Sequence, residues 1–210
     1  MATEKQRATI NLYAEILYEA KGRLQCIEWP LGSSCPLPPP AIREFCFLQL
    51  RMLTELIALG CLIAHGDITN RGKLRKEDSP GKIILETEKL HPDFYPLPVK
   101  VTNPNPTTSK LDPIRSGFLT QSELPKLYGI SGNFLHRGTV EKILSAWSPG
   151  PQKADYSNIV LWARKINVLL KSHRLILFDG RVNFVAQINK RGEKPSVYIV
   201  EPSGGARLGR

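Results

Sequence analysis

Residues 41–65 read AIREFCFLQLRMLTELIALGCLIAH, and this stretch decides the fold. Apolar side chains recur at helical spacing through Phe45, Phe47, Leu48, Leu50, Met52, Leu53, Leu56 and Ile57, which predicts one long helix. It starts near Pro40, where the first turn has no use for an amide donor, and Gly66 stops it. Arg51 and Glu55 lie one turn apart in this apolar surround. An exposed pair at that spacing adds only about 0.2–0.5 kcal/mol. Inside a core, removing one partner costs roughly 3–5 kcal/mol, because the other charge is left uncompensated. The pair is therefore expected to be either a polar lock setting helix register or the floor of a site.

Working upstream, residues 7–28 carry Ile10, Tyr13, Ile16, Leu17, Ala20, Leu24 and Ile27 at spacings of three and four, an amphipathic helix. The following WPLGSSCPLPPP is expected to break it, since proline removes an amide donor. Downstream, residues 66–80 form a polar loop, and Ser79-Pro80 supplies an N-cap and first-turn proline for a helix over 80–91. Six prolines between Pro92 and Pro113 predict an extended strap outside regular structure. Thr120 and Glu123 form a capping box for a helix over 121–137. Gly129, Ser131 and Gly132 weaken that helix unless a neighbouring backbone comes close. Helices over 140–147 and 156–172 flank the linker SPGPQKAD.

The period then changes. RLILF-DG-RVNFVAQI is a hairpin signal, because Asp179-Gly180 suits a two-residue turn between alternating strands. SVYIVEP gives a third strand, and SGGARLGR a frayed tail. The expected class is α+β. A helical bundle over residues 1–150, with its strap at 92–113, precedes a helix and three-stranded antiparallel meander over 151–202 and a tail over 203–210.

At 210 residues and 41% hydrophobic content, the chain can bury a real core. Its net charge of +10 is unevenly placed: residues 1–70 hold 6 Lys+Arg against 7 Asp+Glu, and residues 151–210 hold 11 against 4. The basicity of the last third points to RNA, DNA or an acidic protein partner there. Arg174, Arg181, Lys190, Arg191 and Lys194 fall on strand ends and turns, the expected nucleic-acid contacts, with Tyr198 and Phe184 as stacking faces. Phe184 also shares its strand face with Val182, Ala186 and Ile188, the pattern of a sheet packed on a helix.

The N-terminus lacks the apolar core of a secretory signal, and the uninterrupted apolar run 56–64 is short for a membrane crossing, so a cytoplasmic location with reduced thiols is expected. Cys26, Cys35, Cys46 and Cys61 form no C-x-x-C pair, which argues against zinc. His65, Asp67 and His91 could together hold a metal, but no spacing fixes their separation; neither metal nor cofactor is expected. Phosphate loops, G-x-G-x-x-G, H-E-x-x-H and G-x-S-x-G are absent from the sequence.

Tyr128, Ser131 and His136 follow the pattern Tyr-x-x-Ser-x-x-x-x-His, with a preceding long helix bearing Arg and Glu. This resembles the final bundle helix of HEPN-like proteins, over about residues 7–147. The resemblance implies a four-helix up-down bundle and membership among RNases, toxins, abortive-infection proteins or inactive RNA-binding and scaffolding modules. The family's catalytic signature separates Arg from His by four to six residues. Here thirteen residues separate Arg51 from His65, and Arg137 follows His136 instead. The leading expectation is thus a non-catalytic binding or assembly protein of HEPN-like type. A divergent, metal-independent ribonuclease or toxin of defence or toxin–antitoxin type, using His136, Arg137, Arg51 and Glu55, is the alternative. A structural subunit of a homodimer is the third.

Overall fold

The long apolar helix is the element against which the others pack. The computed structural model describes residues 4–32, 35–65, 76–105, 108–135, 153–177, 183–188 and 192–200. Among them are five helices: α1 (Glu4–Gly32), α2 (Pro39–Ala64), α3 (Pro80–Leu90), α4 (Leu124–Leu135) and α5 (Lys153–Lys171). The described residues also form five strands: β1 (Leu97–Asn105), β2 (Thr108–Pro113), β3 (Ser172–Ile176), β4 (Asn183–Gln187) and β5 (Ser196–Val200). The class is α+β, as expected. Expected elements over 140–147, the Asp179-Gly180 turn and the tail lie outside the described residues, as does Gly66.

α2 packs against α1, α3, α4 and α5. Cys46, Leu50, Leu53 and Ala58 have no exposed surface at all. Burying a leucine this completely contributes roughly 1.5–3 kcal/mol, and truncating it to alanine costs about 2–5 kcal/mol once the cavity is included. Pro39 and Pro40 occupy the first two helical positions, and the Pro38 carbonyl accepts the amides of Ala41 and Ile42 at 2.9 and 3.1 Å. α2 is long and apolar enough to cross a membrane, yet 61% of its most apolar window is buried inside the protein.

Several sequence expectations need correction. α1 does not break at Trp29-Pro30 but continues to Gly32 with Pro30 inside it. Pro30 has no amide hydrogen to give the Cys26 carbonyl, so α1 forgoes one helical bond there, with only two residues left to follow. Ser79 stands at the N-cap of α3, but its hydroxyl makes no capping bond; its amide instead donates to Glu77 Oε1 at 3.0 Å. α4 starts at Leu124 rather than 121, and half of the expected capping box forms. The Thr120 amide donates to Glu123 Oε2 at 3.0 Å, while the Thr120 hydroxyl donates to the same carboxylate at 3.1 Å.

The largest correction concerns the sheet, which has five antiparallel strands rather than three, in the order β2-β1-β3-β4-β5. The two extra strands come from the proline-rich stretch 92–113, expected to be irregular. Its prolines sit where a ladder does not need their amide. Pro98 is the second residue of β1, Pro104 falls at the register break between Thr102 and Asn105, and Pro113 ends the edge strand β2. The sheet therefore combines strands from both sides of residue 150.

Residues paired across an antiparallel ladder point to the same face. His173, Leu175, Phe184 and Ala186 share the inner face, fully buried beneath α5 and the helical core. Phe184 is thus a core residue and not a stacking face. A positive φ of 87° at Gly192, in the turn between β4 and β5, suits a residue without a Cβ.

Candidate functional site

Arg51 and Glu55 lie on the side of α2 that meets α4. Arg51 Nε is 3.5 Å from Glu55 Oε1, its Nη2 donates to the Tyr128 hydroxyl at 2.5 Å, and its guanidinium carbon lies 4.2 Å from the centre of the Tyr128 ring. The side chains of Arg51 and Glu55 are 26% and 27% exposed, so the pair is neither sealed in the core nor free in water. The large cost of breaking a fully buried pair therefore does not apply. Its worth is closer to a surface pair, up to about 1 kcal/mol, plus a similar cation–π contribution.

Gly132 explains the room for this guanidinium. A Cβ at that position would stand 2.9 Å from Arg51 Nη1. The neighbour that the α4 glycines admit is, at Gly132, a side chain and not the backbone their spacing suggests. Ser131 beside it is fully buried, and its Oγ has no partner among the described residues. The seam thus holds a neutralised cation flanked by a phenol and a carboxylate. Glu55 offsets part of the charge that Arg51 could offer an anion. His136 and Arg137, the other two expected catalytic residues, lie outside the described residues.

A second anchor on α2 was not legible in the sequence. Arg43 Nη1 meets Asp155 Oδ2 at 3.1 Å, and the Tyr156 hydroxyl donates to the Pro39 carbonyl at 2.8 Å. Phe47 stacks on Phe134 with ring centres 3.9 Å apart, and the Arg43 guanidinium carbon lies 5.4 Å from the Phe134 ring. These contacts fix α4 and α5 to the first turns of α2.

His65 and His173, two of the three buried histidines, are held as neutral rings. His173 Nδ1 faces the Leu170 carbonyl at 3.3 Å, and a carbonyl only accepts, so Nδ1 carries the proton. Its Nε2 then accepts from the Tyr13 hydroxyl at 2.6 Å. Burial pulls the His173 pKa down to about 4, against a smaller opposing effect of the Leu170 bond, and pushes the Tyr13 hydroxyl well above its usual value. His65 donates through Nε2 to the Phe94 carbonyl at 3.1 Å and lies against His91, ring centres 4.9 Å apart. Burial takes His65 down to about 4 as well, with the Phe94 bond opposing and His91 assisting. Asp67 lies outside the described residues, and no group of three metal-ligating side chains occurs among those described. The Tyr13–His173 pair was missed because its members are 160 positions apart. The available signal was alternation: His173 shares a strand face with Leu175.

The outer face of the sheet presents a different surface. Leu97, Arg174, Val185 and Tyr198 pair in sequence across β1, β3, β4 and β5, forming one row. Tyr198 is 53% exposed. Arg174 Nε is buried with no hydrogen-bond partner among the described residues. Desolvation lowers the Arg174 pKa and the Asp93 carboxylate raises it, though a guanidinium stays charged throughout. Of the other expected contacts, Lys194 is engaged with Glu15 at 3.0 Å, a hydrogen bond that holds its ammonium above the usual range. Arg181, Lys190 and Arg191 lie outside the described residues. Compared with known proteins, the chain matches no family model, no curated protein and no solved structure.

Proposed function

We propose that this chain is a cytoplasmic, non-catalytic binding or assembly protein of HEPN-like type that holds single-stranded nucleic acid on the outer face of its sheet. The observation that supports this most is the row Arg174–Val185–Tyr198, in which a cation and an exposed phenol flank a buried valine. The two polar members stand two strands apart, about 10 Å, on one face of the sheet. A base stacked on Tyr198 and a neighbouring phosphate at Arg174 use the two interactions common to sequence-tolerant single-strand binders. The excess of 11 Lys+Arg over 4 Asp+Glu in residues 151–210 supplies the attractive field.

The test is fluorescence anisotropy with labelled single-stranded RNA and DNA across a salt series. Binding should weaken steeply as salt rises. Tyr198→Ala should cost about 1–3 kcal/mol of affinity. Arg174→Met should lower the salt slope by about one. Weak binding at low salt that does not change with ionic strength, or wild-type affinity in both variants, sinks the proposal.

The ribonuclease reading draws on the half-open Arg51–Glu55–Tyr128 seam. It predicts that His136→Ala abolishes RNA cleavage without lowering the melting temperature. Wild-type protein that leaves RNA intact ends that reading.

A further inference from the structure

We propose that the groove between α1 and α5 seats a second copy of this chain, related by a two-fold axis. The groove has a volume of about 370 Å³ and runs along the last half of α1 and the middle of α5. Its α1 wall is built from Leu24, Ile27, Glu28 and Leu31, and its α5 wall from Val160, Ala163, Arg164 and Asn167. Both sets follow the spacing i, i+3, i+4, i+7, so each helix turns one continuous stripe into the cleft. A cleft between two helices is a shape that a further helix face fills. Apolar surface continues past the lips: Val160 is 53% exposed, its neighbour Leu161 48%, and Trp29 beside Glu28 55%.

Charge selects a second copy over a foreign helix. Glu28 stands on one wall and Arg164 on the other, both exposed, and neither is ion-paired to a described residue. A two-fold operation that lays α1 of one copy along α5 of the other makes every contact twice with roles exchanged. One such operation sets Glu28 against the partner copy's arginine at 164 and, at the same time, Arg164 against the partner copy's glutamate at 28. The same crossing brings the N-terminal third, with 6 Lys+Arg to 7 Asp+Glu, against the C-terminal third, with 11 to 4. That arrangement offsets the repulsion a chain of net charge +10 otherwise feels towards itself. The groove residues are separate from the outer row of the sheet, so this dimer and the nucleic-acid reading stand or fall independently.

Charge reversal in the full-length chain tests the proposal by sedimentation equilibrium. Wild-type protein should dimerise, and Glu28→Arg or Arg164→Glu alone should each raise the dimer Kd at least about tenfold, because like charges then face one another. The double reversal should restore wild-type affinity to within about threefold, since the pair is re-formed with its signs exchanged. Both residues are on the surface, so circular dichroism and melting temperature should match wild type in all three variants. A monomeric wild type at about 100 μM, a dimer indifferent to either reversal, or a double variant weaker than both singles would overturn it; a dimer of that kind uses another surface.

Discussion

Acidification should loosen this protein through two buried rings before its carboxylates titrate. His65 and His173 have no exposed surface, and each is held neutral by burial that draws its pKa to about 4. In the unfolded chain each titrates near 6.5. The folded value lies below the unfolded one, so the stabilisation is fully present above pH 6.5 and is lost as pH falls towards 4. Between pH 8 and pH 5, linkage gives about 2 kcal/mol of lost stability for each ring, about 4 kcal/mol for the two. That is a large part of a typical stability of about 5–15 kcal/mol. Urea unfolding followed by circular dichroism across this range measures it. His173→Gln isolates one ring, because the amide oxygen can still accept from Tyr13 but does not ionise. Subtracting the two profiles cancels every carboxylate, and the difference should narrow by about 2 kcal/mol from pH 8 to pH 5. Parallel profiles would refute the reasoning, since His173 would then bind the same number of protons in both states.

Two glycine substitutions should separate a rigid contact from a yielding one. Gly60→Ala places a methyl 3.1 Å from Cε2 of Tyr13, whose ring is buried and whose hydroxyl is fixed to His173. It should destabilise by about 1–2 kcal/mol in urea unfolding despite the better helix propensity of alanine. Gly132→Ala instead meets the end of the Arg51 side chain, which can swing towards solvent. The helix gain of about 1 kcal/mol should nearly cancel the lost contact with Tyr128, leaving stability within about 1 kcal/mol of wild type.

Where the sequence could be read, the cause was local. α2 announced itself because a helix buried on most sides must be apolar on most sides, and Leu50, Leu53 and Ala58 repeat that signal through two turns. β3, β4 and β5 followed from alternation, which the pleat enforces whatever the partner. β1 and β2 are hidden in the sequence because proline looks like a veto on strand structure. Proline is forbidden only where its missing amide would be called on, and that depends on which strand lies alongside. Pro98 shows the point: it offers its carbonyl to the Ile114 amide at 2.9 Å, and nothing in the local sequence reveals that acceptor role.

The Arg51–Glu55 pair shows the same limit from the other side. One turn of α2 suffices to say that the two charges can reach each other, but not which element covers them or how completely. The answer lies in a second one-turn pair, Tyr128 and Gly132 on α4. The tyrosine offers a ring face and a hydroxyl, and the glycine four residues later offers a gap where a side chain would otherwise collide with Nη1. Each pair alone is commonplace, and together they form a slot for one guanidinium. The slot is specific because Lys at position 51 could supply the charge but not a planar group to lie on the ring. Arg51→Lys should therefore keep the charge of the seam while weakening the α2–α4 contact, a loss that a plain charge lock would not show.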